Sequence, residues 1–141
     1  MSNSFGFLEH MIEDCEDILF IKKQFASYEE FEKNRPLHKS IVYSMLDLGE
    51  LMKSFDKDER LKYPQIPWKH IIGFRDRAAH GYKLLNLKIV WDLVELYIEV
   101  LLQELRQLQQ IKINKANVEE DNPSQDTQLT PSTSFTTKPE K

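Results

Sequence analysis

Residues 86–112 read NLKIVWDLVELYIEVLLQELRQLQQIK, and apolar residues recur in them every three or four positions. This is the period of an amphipathic helix, and Asn86 can cap its start, so the stretch predicts one helix running to about Lys112. One wide stripe consists of Leu87, Val90, Trp91, Val94, Tyr97, Ile98, Leu101, Leu102, Leu105 and Leu108. A second stripe consists of Ile89, Leu93, Leu96 and Val100. Because one apolar face is enough to close a small bundle, the second indicates a subunit interface, or else a central helix that the other helices surround.

The segments before residue 86 also have helical periodicity. They predict helices over 4–25 and 67–79, and a long helix that begins at Pro36 and extends to about Phe55. Ser27 and Glu30 have the spacing of a capping box, which predicts a short helix over 28–33. No segment alternates in the way a strand does. The sequence therefore predicts an all-α fold, a four- to five-helix up-and-down bundle over residues 1–112.

Residues 113–141 lack this period and are rich in Ser, Thr, Pro, Gln and acidic residues. Such a composition buries too little apolar surface to offset the entropy lost on ordering. It predicts a disordered polar tail.

The composition is that of one ordinary globular domain: of 141 residues, 40% are hydrophobic and 30% charged. Cys15 is the only cysteine, so no disulfide can form within the chain. It lies in an apolar stripe beside acidic residues, which favours a buried structural role over that of a nucleophile. The first residues do not resemble a signal peptide, and no apolar run is long enough to span a membrane. We therefore expect a cytoplasmic protein with no membrane partner.

The net charge of −4 argues against a protein that coats nucleic acid nonspecifically. Between Trp68 and Lys88, however, there are five basic residues and one acidic residue. A basic patch on an acidic body can direct a polyanion to one place.

Residues 75–82, RDRAAHGY, lie in this basic window. On an unbroken helix Arg75 and His80 would be about 140° apart, so they converge only if the helix ends near His80 or if two subunits contribute to one cleft. Gly81 favours a helix end at this point. Histidine can transfer the protons in RNA cleavage by the 2′-OH, and arginine can bind the phosphate. The spacing alone is common to many unrelated helices.

Other familiar catalytic patterns are absent from the sequence: it has no Gly-rich phosphate loop, no zinc-spaced Cys or His cluster and no GxSxG motif. We expect no metal and no cofactor. His10 and His38 have polar neighbours and are predicted to lie at the surface or its boundary. His70 has no evident partner and is predicted to be structural or incidental.

Residues 5–105 resemble the HepT-like toxins of the HEPN superfamily, which are all-helical ribonucleases of prokaryotic toxin and antitoxin pairs. The matching positions are Phe31, Gly49-Glu50, Ile66-Pro67-Trp68, Gly73, Arg75-Asp76, His80-Gly81-Tyr82 and Val90-Trp91. The resemblance implies a HEPN-type bundle and a homodimer in which paired copies of Arg75 and His80 line a shared cleft. It also implies metal-independent cleavage of RNA, either tRNA or mRNA, that leaves a 2′,3′-cyclic phosphate. DNA is not an expected substrate.

The same resemblance suggests a role for each polar residue of the motif. Arg75 would bind and stabilise the phosphate charge, and His80 would act as general base or acid. Asp76 would orient Arg75 or the imidazole. Arg77 and Lys83 would guide the RNA.

The resemblance also implies a protein partner, the minimal nucleotidyltransferase antitoxin of a type VII-like system. In such pairs the antitoxin can transfer AMP from ATP onto the tyrosine of the His-x-Tyr motif, which is Tyr82 here. The chain departs from the family in having Asp76 where Asn is frequent, and Ala78 and Ala79 where larger aliphatic residues are common. The long polar tail is also outside the shared pattern.

Two other functions fit the sequence. One is a noncatalytic helical module that docks a nucleotidyltransferase and helps to bind its nucleotide or substrate, which suits the acidic net charge. The other is a dimeric scaffold, in which Arg75 and His80 would affect stability more than any activity.

Overall fold

In the computed structural model, which describes residues 4–81 and 85–121, all regular secondary structure is helical. Helix α1 spans Ser4–Lys22, α2 Tyr28–Lys33, α3 Arg35–Lys53, α4 Lys57–Lys62 and α5 Trp68–Ala78. Helix α6, Leu87–Leu93, continues through a π-helical turn, Val94–Ile98, into α7, Glu99–Asp121. The predicted all-α fold is confirmed.

The helices begin where local capping signals predict. Ser27 Oγ accepts a hydrogen bond from the backbone N–H of Glu30 at 3.3 Å, and Asn86 Oδ1 accepts one from that of Lys88 at 2.9 Å. Pro36 lies in the first turn of α3, where its missing N–H costs no helical hydrogen bond. Each cap satisfies a backbone donor that the helix itself leaves free.

Helix α3 is central to the core, because it packs against both α1 and α5. Phe31 of α2 is fully buried, with its ring centroid 5.1 Å from that of Trp91 in α6 and 5.7 Å from that of Phe25. Burying such a side chain contributes about 1.5–3 kcal/mol. Phe31 thereby fixes the short helix α2 against α6.

The prediction that His38 lies at the surface or its boundary is wrong. His38 is 5% exposed, its Nδ1 lies 3.1 Å from the carbonyl oxygen of Phe31, and the two rings pack 5.6 Å apart. The residues next to His38 in sequence are polar, but Ile41, Val42 and Met45 follow it at helical spacing and are buried. His38 therefore shares the apolar stripe of α3, and its polar ring nitrogen is satisfied by a backbone carbonyl.

Two predicted helix ends are also wrong. Helix α1 ends at Lys22 rather than near residue 25, and α7 continues past Lys112 to Asp121. The stretch 113–121, INKANVEED, has no apolar stripe, but extending an existing helix costs far less than starting one. Gln110 Nε2 donates to Asn114 Oδ1 at 3.1 Å within this extension. Residues 122–141 lie outside the described residues, so their disorder stays a prediction.

The second apolar stripe of the last helix is largely uncovered. Ile89 is 43%, Leu96 65% and Val100 49% exposed, whereas Leu93 is buried. The other described helices do not surround this face, which favours the predicted subunit interface over the wrapped helix. None of the described helices is both long enough and apolar enough to cross a membrane.

Candidate active site

The predicted helix break between Arg75 and Gly81 is confirmed. Helix α5 ends at Ala78, whose carbonyl oxygen accepts a hydrogen bond from the N–H of Gly81 at 3.0 Å. Gly81 has a φ of +124°, a conformation that glycine adopts without the steric cost of a Cβ. His80 is exposed and lies in the turn just beyond the helix.

The stem of Arg75 packs directly on α3 at Gly49. A Cβ added to Gly49 would lie 2.6 Å from Cβ of Arg75 and 3.2 Å from the carbonyl oxygen of Ile71. The missing side chain lets α3 and α5 approach closely at Arg75. At Gly73 an added Cβ would meet only NH1 of Arg77, at 3.3 Å, among the described residues.

Two residues of α3 pair with the two charged residues at the start of the motif. Nε of Arg75 lies 2.8 Å from Oε1 of Glu50, and Nζ of Lys53 lies 2.9 Å from Oδ1 of Asp76. NH1 of Arg75 is 3.8 Å from the same Asp76 oxygen. The hydrogen bond from Lys53, with the positive charges of Lys53 and Arg75, lowers the pKa of Asp76. Asp76 thus lies near Arg75, but Glu50 makes the shorter contact.

Neither Lys53 nor a role for Glu50 was predicted from the sequence. The two residues are three positions apart on α3, so they share a helix face. This spacing identifies them as neighbours, but it gives no sign that their partners are on α5.

Arg75 lines a cavity of about 270 Å³ at the contact of α3 with α5. Its other lining residues are Tyr43, Leu46, Asp47, Glu50, Ala78 and Ala79. Arg77 is exposed on α5. Tyr82 and Lys83 lie outside the described residues, so the predictions made for them stay predictions.

Arg75 and His80 are not paired with each other in the described part of the chain. No hydrogen bond or ion pair joins them among residues 4–81 and 85–121, and the side chain of Arg75 is directed to Glu50 instead. The residue before His80, Ala79, lines the cavity of Arg75. The helix end, which is the first of the two conditions for convergence, is present.

An unusual carboxyl pair lies next to this cavity. Oδ2 of Asp14 in α1 is buried and no donor among the described residues reaches it. Burial, followed by the hydrogen bond and charge of Asp47 in α3, raises the pKa of Asp14 to about 8. Burial and the neighbouring carboxylate both favour the protonated form of Asp14. Asp14 also lines a larger cavity of about 590 Å³, and Tyr43 lines both cavities.

The remaining candidate groups have structural partners. The ring of His70 stacks on Tyr97 with centroids 4.4 Å apart, and its Nε2 lies 3.2 Å from the tyrosine hydroxyl. Cys15 is fully buried, and burial raises the pKa of its thiol, as expected of a structural cysteine. Within the described part of the chain, no three His, Cys, Asp or Glu side chains are grouped closely enough to hold a metal ion.

The chain is an all-helical bundle in which Arg75 lies before the end of helix α5 and His80 lies just beyond it. The comparisons with known proteins identify the family of this bundle. Residues 8–108 match the family described as "Ribonuclease HepT-like". The chain is 33% identical over 104 residues to "Putative RNase TTE0752" of Caldanaerobacter subterraneus, covering 74% of this chain and 92% of the relative. It is 32% identical over 103 residues to "Putative RNase MJ1216" of Methanocaldococcus jannaschii, covering 73% and 84%. It is also 22% identical over 87 residues to "Probable ribonuclease HepT" of Thermococcus cleftensis, covering 60% and 79%. No solved structure matches the chain.

The protein therefore belongs to the HepT-like ribonuclease family of the HEPN superfamily. The predicted resemblance is confirmed.

Proposed function

We propose that this protein is the toxin of a type VII-like toxin–antitoxin pair, an endoribonuclease that cleaves cellular RNA without a metal ion. The observation that carries the proposal is the position of Arg75, which lines a cavity at the end of α5 beside the turn that contains His80. The family membership supports RNA as the substrate.

The chemistry uses the nucleophile that RNA already contains. One His80 imidazole takes the proton of the 2′-OH, and the 2′ oxygen attacks the adjacent phosphorus. The bond from phosphorus to the 5′ oxygen breaks, and that oxygen takes a proton from water as it leaves. The products are a 2′,3′-cyclic phosphate and a 5′-OH. Arg75 stabilises the negative charge that develops on the phosphorane, because a guanidinium is a cation whose planar donors suit phosphate oxygens.

In the proposed mechanism, a homodimer brings together Arg75 and His80, which are not paired within one chain. In a shared cleft, Arg75 of one subunit would act with His80 of the partner subunit. The exposed apolar stripe of the last helix supports such self-association, because uncovered apolar surface of this kind usually marks an interface. Mixing Arg75→Ala and His80→Ala proteins, each inactive alone, should restore cleavage, since the mixed dimer contains one intact pair across its interface. No restoration after subunit exchange would place each working pair within one chain.

The nuclease activity itself is tested on purified protein with cellular RNA in EDTA. His80→Ala should lower the cleavage rate about 10²–10⁴-fold, and Arg75→Ala about 10²–10³-fold. His10→Ala is the matched control, because His10 is an exposed histidine on α1 whose ion-pair partner is Glu13. Equal cleavage by wild type and both site variants would discard the assigned residues. Loss of wild-type cleavage in EDTA would discard the metal-independent mechanism.

The antitoxin is proposed to silence this site through Tyr82. The phenol oxygen would bond to the α-phosphorus of ATP as pyrophosphate leaves, which places a negative charge two residues from His80 and repels RNA phosphate. Intact mass after incubation with ATP and the nucleotidyltransferase should increase by AMP in wild type but not in Tyr82→Phe. Tyr43→Phe, which changes an exposed tyrosine on α3, is the control and should be modified like wild type. If Tyr82→Phe is modified to the same extent as wild type, Tyr82 is not the AMP acceptor.

Growth distinguishes the nuclease from a noncatalytic docking module. Expression of the wild-type chain alone should arrest growth, and His80→Ala should abolish the arrest. Arrest that persists unchanged in His80→Ala would contradict the nuclease proposal.

A further inference from the structure

The guanidinium of Arg75 is held at one position by α3. Its Nε lies 2.8 Å from Oε1 of Glu50, whereas its NH1 lies 3.8 Å from Oδ1 of Asp76, which is beyond hydrogen-bond distance. Arginine presents five N–H donors in a planar fork. Among the described residues, neither terminal nitrogen of Arg75 makes a hydrogen bond, and these two nitrogens form the pair that suits a phosphate.

The contact between Glu50 and Arg75 is not explained by stability. The side chain of Glu50 is 60% exposed and that of Arg75 is 32% exposed. Ion pairs with this much access to water contribute little to the free energy of folding. Both residues line the same cavity, so the main effect of the contact is to set the direction in which the guanidinium of Arg75 points.

Adjacent residues of α3 hold both ends of the Arg75 side chain. Gly49 leaves room for Cβ and Cγ of Arg75, which would lie 2.6 Å and 3.1 Å from a Cβ at that position. Glu50, the next residue, fixes Nε. Nζ of Lys53 lies 2.9 Å from the carboxylate of Asp76, so Asp76 is paired with a cation other than Arg75. The side chain of Arg75 is thereby restricted at its base and at its head.

The next step rests on the proposed nuclease function. We infer that Glu50 is a positioning residue, which holds the Arg75 guanidinium at Nε so that its two terminal nitrogens face the RNA phosphate. Lys53 assists by holding Asp76 away from the terminal nitrogens. Glu50 itself does not touch the substrate.

The kinetic test compares Glu50→Ala, which removes the contact, with Glu50→Gln, whose amide oxygen can still lie against Nε. Glu50→Ala should lower kcat by about tenfold to a hundredfold with a smaller change in KM, as expected of a misplaced catalytic group. Glu50→Gln should recover most of this loss. In the Arg75→Ala background, Glu50→Ala should have no further effect, because the two residues act as a unit.

Glu16→Ala is the matched control. Glu16 pairs with Arg106 at 2.8 Å, the same length as the pair of Glu50 with Arg75, and the two side chains are 48% and 54% exposed. Its loss should leave cleavage unchanged. The urea midpoints of Glu50→Ala and Glu16→Ala should be alike, which separates positioning from folding.

A measurement on the protein without RNA makes the inference independent of activity. The Nε–H signal of Arg75 in an NMR spectrum, assigned by its loss in Arg75→Lys, should report a restricted side chain, with a high order parameter, in wild type and in Glu50→Gln. In Glu50→Ala the order parameter should fall. A signal unaffected by Glu50→Ala would overturn the positioning role.

The outcomes separate this inference from the proposed function. If wild type cleaves RNA and Glu50→Ala cleaves equally well, the nuclease proposal stands and the role of Glu50 is wrong. Faster cleavage by Glu50→Ala would also overturn it, because Glu50 would then compete with phosphate for Arg75. If wild type does not cleave RNA, the proposed function fails, and the Nε–H signal still decides whether Glu50 positions the guanidinium.

Discussion

Replacing Gly49 by Ala should destabilise the protein and weaken cleavage together. The added methyl group would lie 2.6 Å from Cβ of Arg75 and 3.2 Å from the carbonyl oxygen of Ile71. Neither atom is at the end of a flexible side chain, so relief requires α3 and α5 to separate where Arg75 is held.

Two opposing effects set the magnitude. Alanine is the better helix former and should contribute roughly 0.5–1 kcal/mol relative to glycine within α3. Overpacking of a tight helix contact typically costs roughly 1–3 kcal/mol, and contacts with backbone and Cβ atoms belong to the upper part of that range. The net expectation is a loss of about 1–2 kcal/mol in the free energy of unfolding, with cleavage reduced because Arg75 is displaced.

Gly73→Ala in α5 is a matched control with the opposite expected sign. Its methyl group would meet only the terminal NH1 of Arg77, at 3.3 Å, which can move aside. This variant should gain roughly 0.5–1 kcal/mol. Urea unfolding followed by helical circular dichroism measures both changes, and RNA cleavage is assayed on the same samples. If Gly49→Ala unfolds at the same urea concentration as Gly73→Ala, the close contact of α3 with α5 is refuted.

Three further predictions concern other parts of the molecule. The pKa of Asp14 is raised from 3.8 to about 8 in the folded chain, so the unfolded chain binds fewer protons between these values and wild-type stability should fall as pH rises through this window. Asp14→Asn, whose amide can donate to Asp47, should lack this fall and be more stable than wild type by on the order of 1–3 kcal/mol above pH 8, in a series of urea titrations. Parallel pH profiles of the two proteins would contradict the raised pKa of Asp14. Gly81→Ala should lose about 1 kcal/mol, since alanine is strained at a φ of +124°, and an unchanged melting temperature would refute this. Leu96→Lys should weaken self-association in analytical ultracentrifugation, whereas Leu61→Lys, at an exposed leucine of α4, should not. Equal sedimentation of the two variants would exclude this stripe as the interface.

The features that the sequence determined by itself depend on residues only a few positions apart. Ser27 and Asn86 cap helices because a side-chain oxygen meets a backbone N–H two or three residues later, and Gly81 ends α5 because a positive φ is a property of that residue alone. The apolar period of residues 86–112 likewise indicated a helix with more apolar surface than one bundle needs. Such local signals were sufficient for the all-α class, and the matching positions from Phe31 to Trp91 were sufficient to suggest the family.

Only the tertiary structure decided which distant groups meet. His38 is buried although its immediate neighbours are polar, and Glu50, rather than Asp76, makes the short contact with Arg75. The raised pKa of Asp14 requires α1 and α3 to bring Asp14 close to Asp47, which no spacing within either helix reveals. The physical reason is that a helix fixes which residues share a face, whereas the crossing of two helices fixes which faces touch. Here the absence of a side chain at Gly49 permits that crossing, and with it the placement of Arg75.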